Sequence, residues 1–440
     1  MWLGILLYAI LFVYWENSIS WYNTLNVFTF ATYAFLLWTS TNRPEEYYTS
    51  KRLAITVFMY SVIFVGLYMM MSDYYTGDTF LFSESDARAY EKYSFTLLDL
   101  PVDKWTSFLE KRGWGFDDWG APISQSLALH LLPFKLFVNF CYIMLNTAGS
   151  VLLFKIGRQI MMRSYAYIAS LTYAIASYSI FFMGSYLKEE IMVFLLIATM
   201  YELYRYRETH RNKYLIIGGL ISLLLLFFRI PVALFVWVAY GTLLLLGSKG
   251  KIKLLLMIII GFVVVLLALG LIMDSALRYA NDGDISESYY YMTYSQSQKI
   301  VLYIAALIGP FPQLLQTGDA FTSKSIFGAG VLLKLLLAYP FWKGGILCLR
   351  TKAESLYPIY VFCLLEMLAL GLVLDSLELR KGMPHIPLFI LAAFWYMSRF
   401  DEDADEQFQM SPYYKKVNLE IKIWVSTVFF MTIVWNLFRA

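Results

Sequence analysis

Charge is scarce in this chain, cysteine scarcer still, and each shortage excludes something. Asp, Glu, Lys and Arg together fill 15% of its 440 positions, against 59% for hydrophobic residues. So few charges could not cover the surface of a soluble protein, and that class is excluded. The 3 cysteines, Cys141, Cys348 and Cys363, each sit in an apolar stretch, so neither a disulfide framework nor a CxxC metal site is available. The opening residues MWLGILLYAILFVYW lack a basic start and a small-residue cleavage site. They read as a retained first span rather than a removed signal peptide. The alternating ~10-residue segments of a membrane barrel are missing, as are fixed-period repeats and low-complexity linkers. A net charge of +3 is too small to suggest nucleic acid as a partner.

What is present is a series of long apolar segments, among them residues 53–71, 214–228 and 254–273. Each approaches the roughly 20 residues that a helix needs to cross about 30 Å of hydrocarbon. The chain therefore reads as an all-α integral membrane protein, a single polytopic domain over residues 1–440 with about 11 to 13 spans. Lys and Arg gather in short loops at residues 42–52, 155–163 (KIGRQIMMR), 205–213 (RYRETHRNK), 248–253 (SKGKIK) and 350–354. By the positive-inside rule these loops are cytoplasmic. The segments 72–132, 185–190, 229–231, 274–328 and 377–387 then fall outside, and one face collects nearly every polar feature. Residues 300–316, broken by Gly309, Pro310 and Pro312, read as an outer re-entrant or interfacial helix. The acidic run DEDADE at 401–406 reads as a solvated inner loop.

Residues 72–132 form the only long polar stretch, and they interleave acids with tyrosine and tryptophan. Helix-compatible composition at 86–93 and 102–111 suggests short helices lying on the membrane surface. Asp86, in SESDARAYEKYS, follows a span by a short stretch. There a carboxylate can take a proton from a sugar hydroxyl attacking an anomeric carbon; the alternative is a solvated loop acid. Asp117 and Asp118, in GWGFDDWGAP, compete for that role, since the flanking tryptophans can stack on sugar faces. Either could instead cap a helix beginning near Pro122.

Cations on the same inferred face would hold phosphate. Lys188 precedes Glu189 and Glu190 at the junction of two spans, in MGSYLKEEIMVF. Glu189 would orient the lysine, or the trio are helix-end anchors. Arg229, in LLLLFFRIP, is close enough to hydrocarbon to need an anionic partner, unless it is an interfacial anchor. Arg380, Lys381 and His385, in LELRKGMPHIPLF, form a second basic group. No metal motif is evident, and no cofactor is required, although an acid beside a phosphate could recruit a divalent ion.

At these residues the chain resembles the GT-C superfamily of polytopic glycosyltransferases, especially the membrane proteins of bacterial capsule, O-antigen and exopolysaccharide clusters. The likeness rests on the outer-loop Asp of SESDARAY, the joined pair SIFFMGSYLKEEIMVFLL, the arginine closing FFR in FFRIPVAL, the PFP segment at 310–312 and the LELRKGMPHIPLFILAA stretch. It departs at the last, with Glu378, Leu379, Arg380 and Lys381 where the family often has Arg-Tyr-Arg. The resemblance implies an all-helical membrane fold in the bacterial inner membrane and an extracytoplasmic active site with an acid in the first large outer loop. It further implies a polyprenyl-phosphate- or pyrophosphate-linked donor, a glycan acceptor and, as possible partners, other polysaccharide-assembly membrane proteins. Repeat-unit polymerisation of the O-antigen type and lipid-linked oligosaccharide flipping stay open as alternatives.

Overall fold

The computed structural model describes residues 21–41, 43–76, 85–247, 296–309, 328–372, 382–402 and 412–439, and all regular structure among them is helical. In chain order the α-helices are α1 Trp21–Ser40, α2 Ser50–Thr76, α3 Ser85–Leu98, α4 Trp105–Lys111, α5 Gly120–Leu131, α6 Lys135–Gly157, α7 Arg163–Ala174 and α8 Ser177–Gly184. They continue with α9 Glu189–Thr209, α10 Asn212–Leu224, α11 Ile230–Gly247, α12 Gln296–Ile308, α13 Gly328–Thr351, α14 Tyr357–Leu372, α15 Ile386–Glu402 and α16 Pro412–Arg439.

Among the described residues, 5 helices are long and apolar enough to cross a membrane: Ser50–Met70, Lys135–Gly157, Gly330–Thr351, Glu354–Gly371 and Lys416–Asn436. The pair α7 and α8, bent by 47° at a short break, would make a sixth, and Asn212–Phe227 and Ile230–Leu245 are apolar but shorter. The expected spans near 1–15 and 254–273 lie outside the described residues. α9 is the instructive case. It carries Glu189, Glu190, Glu202, Arg205 and Arg207, so it does not read as a plain lipid-facing span, yet α6, α10 and α11 surround it and most of its length is buried.

The expected single span over 164–183 is instead two helices, and the break has a visible cause of stability. Ending α7 at Ala174 frees carbonyls that hydrocarbon cannot satisfy. Asn146 of α6 donates to the Ala174 carbonyl at 2.9 Å and Ser179 to that of Tyr173 at 3.0 Å. Further along, Asn139 donates to the Met183 carbonyl at 2.8 Å, and Gln125 of α5 to that of Tyr186 at 2.7 Å. Tyr186 itself has φ 58, a left-handed conformation that a bulky residue adopts only when its surroundings enforce it. Its hydroxyl donates to the Lys135 carbonyl at 2.7 Å. This clamped turn aims Lys188 and the start of α9.

Helix direction sorts the charges into two ends. α13 and α15 run parallel, with Lys334 over Phe389 near both starts and Gly344 against Tyr396 further along. α14 returns beside them, its Tyr360 hydroxyl donating to the Phe341 carbonyl at 3.1 Å. α9 runs from Lys188 to Tyr204, whose hydroxyl donates to the Ser355 carbonyl in the turn between α13 and α14. One end thus holds Lys188, Arg229, Lys334, Glu366 and His385. The opposite end holds Arg207, Lys352, Glu354 and Arg399.

Candidate active site

The polar stretch expected to carry surface helices contains α3, α4 and α5 over its described part, residues 85–132. Their own small core is Leu97, Trp105 and Leu109, with Trp114 and Trp119 packed on it. Trp119 donates its indole N–H to the Trp114 carbonyl at 3.0 Å, so the tryptophans hold the loop's shape. An ion pair between Glu91 of α3 and Lys135 of α6 at 3.0 Å ties the group to the bundle.

Between α4 and α5 the short 3-10 turn Phe116–Asp118 meets the bundle directly. Phe116 lies against Phe227 with ring centroids 4.5 Å apart. Gly120 is set so close to the Phe227 carbonyl that a Cβ there would fall 2.8 Å from it, so only glycine allows this approach. The chain that leads to Arg229 is therefore the floor on which Asp117 and Asp118 rest.

Lys188 closes the site. Its ammonium pairs with the Asp118 carboxylate and donates to the Asp117 carbonyl at 3.3 Å. The lysine is 5% exposed and Glu189 and Glu190 are fully buried, which excludes the simple reading of all three as solvated helix-end anchors. Nor do the aspartates cap α5, whose start has no side-chain cap. Tyr90 of α3 donates to the same Asp118 carboxylate at 3.4 Å. Asp86 lies one turn before Tyr90, at the spacing that puts two residues on one helix face, and it is half-buried. Asp118, Lys188 and Tyr90 thus gather where α3, the 3-10 turn and the start of α9 meet, and Asp86 stands in the first turn of α3. Glu189 begins α9, where a carboxylate favours the positive helix end.

A second group lies at the same end, deeper in the bundle. Glu366 of α14 is buried within electrostatic reach of Arg229 and Lys334. Lys334 of α13 also donates to the Ala306 carbonyl of α12 at 3.2 Å. His385 is fully buried beside Lys334 rather than on a surface with the expected basic group. Arg380 and Lys381 lie outside the described residues. Arg229 joins the two groups, because it follows the Phe227 floor and faces Glu366.

Lys334, Glu366 and Glu190 were not among the expected site residues. The first two stand alone in apolar runs, VLLKLLLAY and FCLLEMLAL, and an ionisable residue inside a span marks a functional site by default. Glu190 is more demanding: both its oxygens are buried without a hydrogen-bond partner among the described residues. Tyr142, Tyr173 and Tyr178 lie within its electrostatic reach. Among the described residues no three His, Cys, Asp or Glu side chains group so as to hold a metal ion.

No protein-family model matches the chain, and no curated protein matches it.

Proposed function

We propose that the chain is a multi-pass membrane glycosyltransferase that works at the extracytoplasmic face, using a polyprenyl-phosphate- or pyrophosphate-linked sugar donor in bacterial surface polysaccharide assembly. The observation that carries this reading is the buried Lys188 held by Asp118, with the chain that leads to Arg229 packed beneath the same turn. A buried ammonium costs several kcal/mol of desolvation, and a fold keeps such a group most readily where an anion must be bound.

In this mechanism the acceptor hydroxyl oxygen attacks the anomeric carbon of the donor. Asp86 takes the hydroxyl proton. The bond from the anomeric carbon to the phosphate oxygen breaks, and the polyprenyl phosphate leaves with the electron pair. Lys188 and Arg229 stabilise the charge that develops on it, with Arg380 and Lys381 as further candidates. Asp118, already engaged by Lys188 and Tyr90, positions the lysine. About 11 to 13 spans in total, with the Lys and Arg-rich end in the cytoplasm, complete the reading. The repeat-unit polymerase is the same chemistry on a longer donor.

A specific observation weighs against a flippase. Between the Lys334 end and the Arg207 end, Phe341 stacks on Phe389 at 4.2 Å and packs on Tyr360 at 5.0 Å between centroids. These rings fill the contact among α13, α14 and α15 with apolar surface, whereas a translocation path there would need polar lining.

The test uses the full chain in vesicles with an undecaprenyl-pyrophosphate-linked sugar. Wild type should transfer sugar to an acceptor glycan, while Lys188→Ala should insert normally and lose most donor use. Donor flipping without transfer by the wild type would overturn the enzyme reading. Equal transfer by wild type and Lys188→Ala would overturn the assignment of the lysine.

A further inference from the structure

The end opposite Lys188 holds a cavity of about 510 Å³, inside the ~300–1,000 Å³ range typical of small-ligand sites. It lies where α9, α13 and α15 end, and its lining includes Arg207, Lys352, Arg399, Glu354, Ser355 and Trp395. Among the described lining residues three cations accompany one acid, so that lining is net positive. Cations in cytoplasmic loops need no special explanation; a shaped recess built from separate elements does.

The recess is fixed rather than incidental. Lys352 has φ 52, a left-handed backbone that a non-glycine residue holds where its surroundings enforce it. The reversal is secured by the Ala353 N–H donating to the Cys348 carbonyl at 3.0 Å and the Glu354 N–H to that of Lys352 at 2.8 Å. Tyr204 of α9 donates to the Ser355 carbonyl and locks the turn to the bundle. Arg399 is set over the Trp395 ring at 5.5 Å to its centroid, which orients the guanidinium. On α13, Ile346 is 50% and Leu349 71% exposed beside the cavity-lining Leu347 and Thr351. Apolar surface and a basic recess therefore meet on the last turns of one helix.

We propose that this cavity binds a phosphate group, with Arg207 and Arg399 supplying paired N–H donors and Lys352 a point charge. The apolar flank of α13 suits the headgroup of an anionic phospholipid, whose chains would lie along Ile346 and Leu349. A free phosphate shares the headgroup's chemistry. The site is distinct from the proposed active site and does not depend on it: its lining shares no residue with the Lys188 and Asp118 group.

Native mass spectrometry of the detergent-solubilised full chain tests this, with phosphatidylglycerol, phosphatidylcholine and inorganic phosphate as separate probes. Wild type should retain phosphatidylglycerol over phosphatidylcholine, and Arg207→Gln with Arg399→Gln should weaken that retention by about tenfold or more. Arg207→Lys with Arg399→Lys should keep part of it, which separates lost charge from lost folding. A control pair outside the cavity, Lys155→Gln with Arg158→Gln, should match wild type. Displacement of the lipid by millimolar inorganic phosphate would identify free phosphate as a ligand, and no displacement would identify the lipid; either supports the site. Equal loss in the cavity and control pairs, or no preference for phosphatidylglycerol, would overturn it.

Discussion

The two ends of the bundle hold charge in opposite ways. At one end Lys188, Glu189, Glu190, Lys334, Glu366 and His385 are buried, and several are paired across helices far apart in sequence. At the other Arg207, Lys352 and Arg399 are exposed and outnumber the acid beside them. Exposed cations there satisfy a topological rule and are hydrated at little cost. Buried ones are costly to desolvate, and a fold that keeps them must compensate with partners. The contrast directs catalytic hypotheses to the Lys188 end and leaves the Arg207 end for binding at the membrane surface.

The sharpest way to break that comparison is to neutralise the acids at the buried end. Asp86→Asn should reduce sugar transfer by ~10²- to 10⁴-fold, the usual range for losing a general base, while donor binding persists. Asp118→Asn should chiefly weaken donor binding, since it releases Lys188. Near-normal transfer from Asp86→Asn with a large loss in Asp118→Asn would exchange their roles. Near-normal transfer from both would remove the carboxylates from the chemistry.

The deeper group gives the next largest effect. Glu366→Leu alone leaves Lys334 and Arg229 without their buried counter-charge and should destabilise the protein by about 3 to 5 kcal/mol in detergent unfolding. Glu366→Leu with Lys334→Leu should be less harmful than the sum of the single changes. Strict additivity would show that the two charges do not interact.

A smaller effect is expected at the bend between α7 and α8. Asn146→Leu keeps the volume but strands the Ala174 carbonyl, at a cost of roughly 1 to 3 kcal/mol. A stability change within error would mean that another group satisfies the carbonyl. Smallest of all should be Arg211→Ala at the exposed end, within about 0.5 kcal/mol. The comparison between ends can also be read directly by topology. Cysteines placed at the exposed positions Glu110 and Lys213 should react with an impermeant reagent from opposite sides of the membrane. Labelling of both in intact cells would dissolve the distinction between ends.

Much of this was legible without coordinates. Helix-compatible composition at 86–93 and 102–111 pointed to two short helices, which the structure bounds at Ser85–Leu98 and Trp105–Lys111, and charge bias between loops put Lys188 on the same side as Asp117 and Asp118. The bend at Ala174 was not legible, because the sequence between α7 and α8 contains neither Pro nor Gly. It rests on the Asn146 amide contributed by α6 and on the Ser179 hydroxyl of α8. Lys334 and Glu366 were visible as isolated charges in apolar runs, yet nothing local indicated that Arg229 and His385 would face them.

By itself the sequence determined the helical character of the protein and the apolar segments suited to a membrane. Those properties follow from rules that act over one helix length: enough apolar residues to cross hydrocarbon, and satisfied backbone groups. Only the tertiary structure decided which acid meets Lys188, which charges are buried, and that a basic recess exists at the far end. The reason is distance along the chain. Lys188 and Asp118 are 70 residues apart, and the partner of a buried charge is set by how distant helices pack, where local composition carries no information.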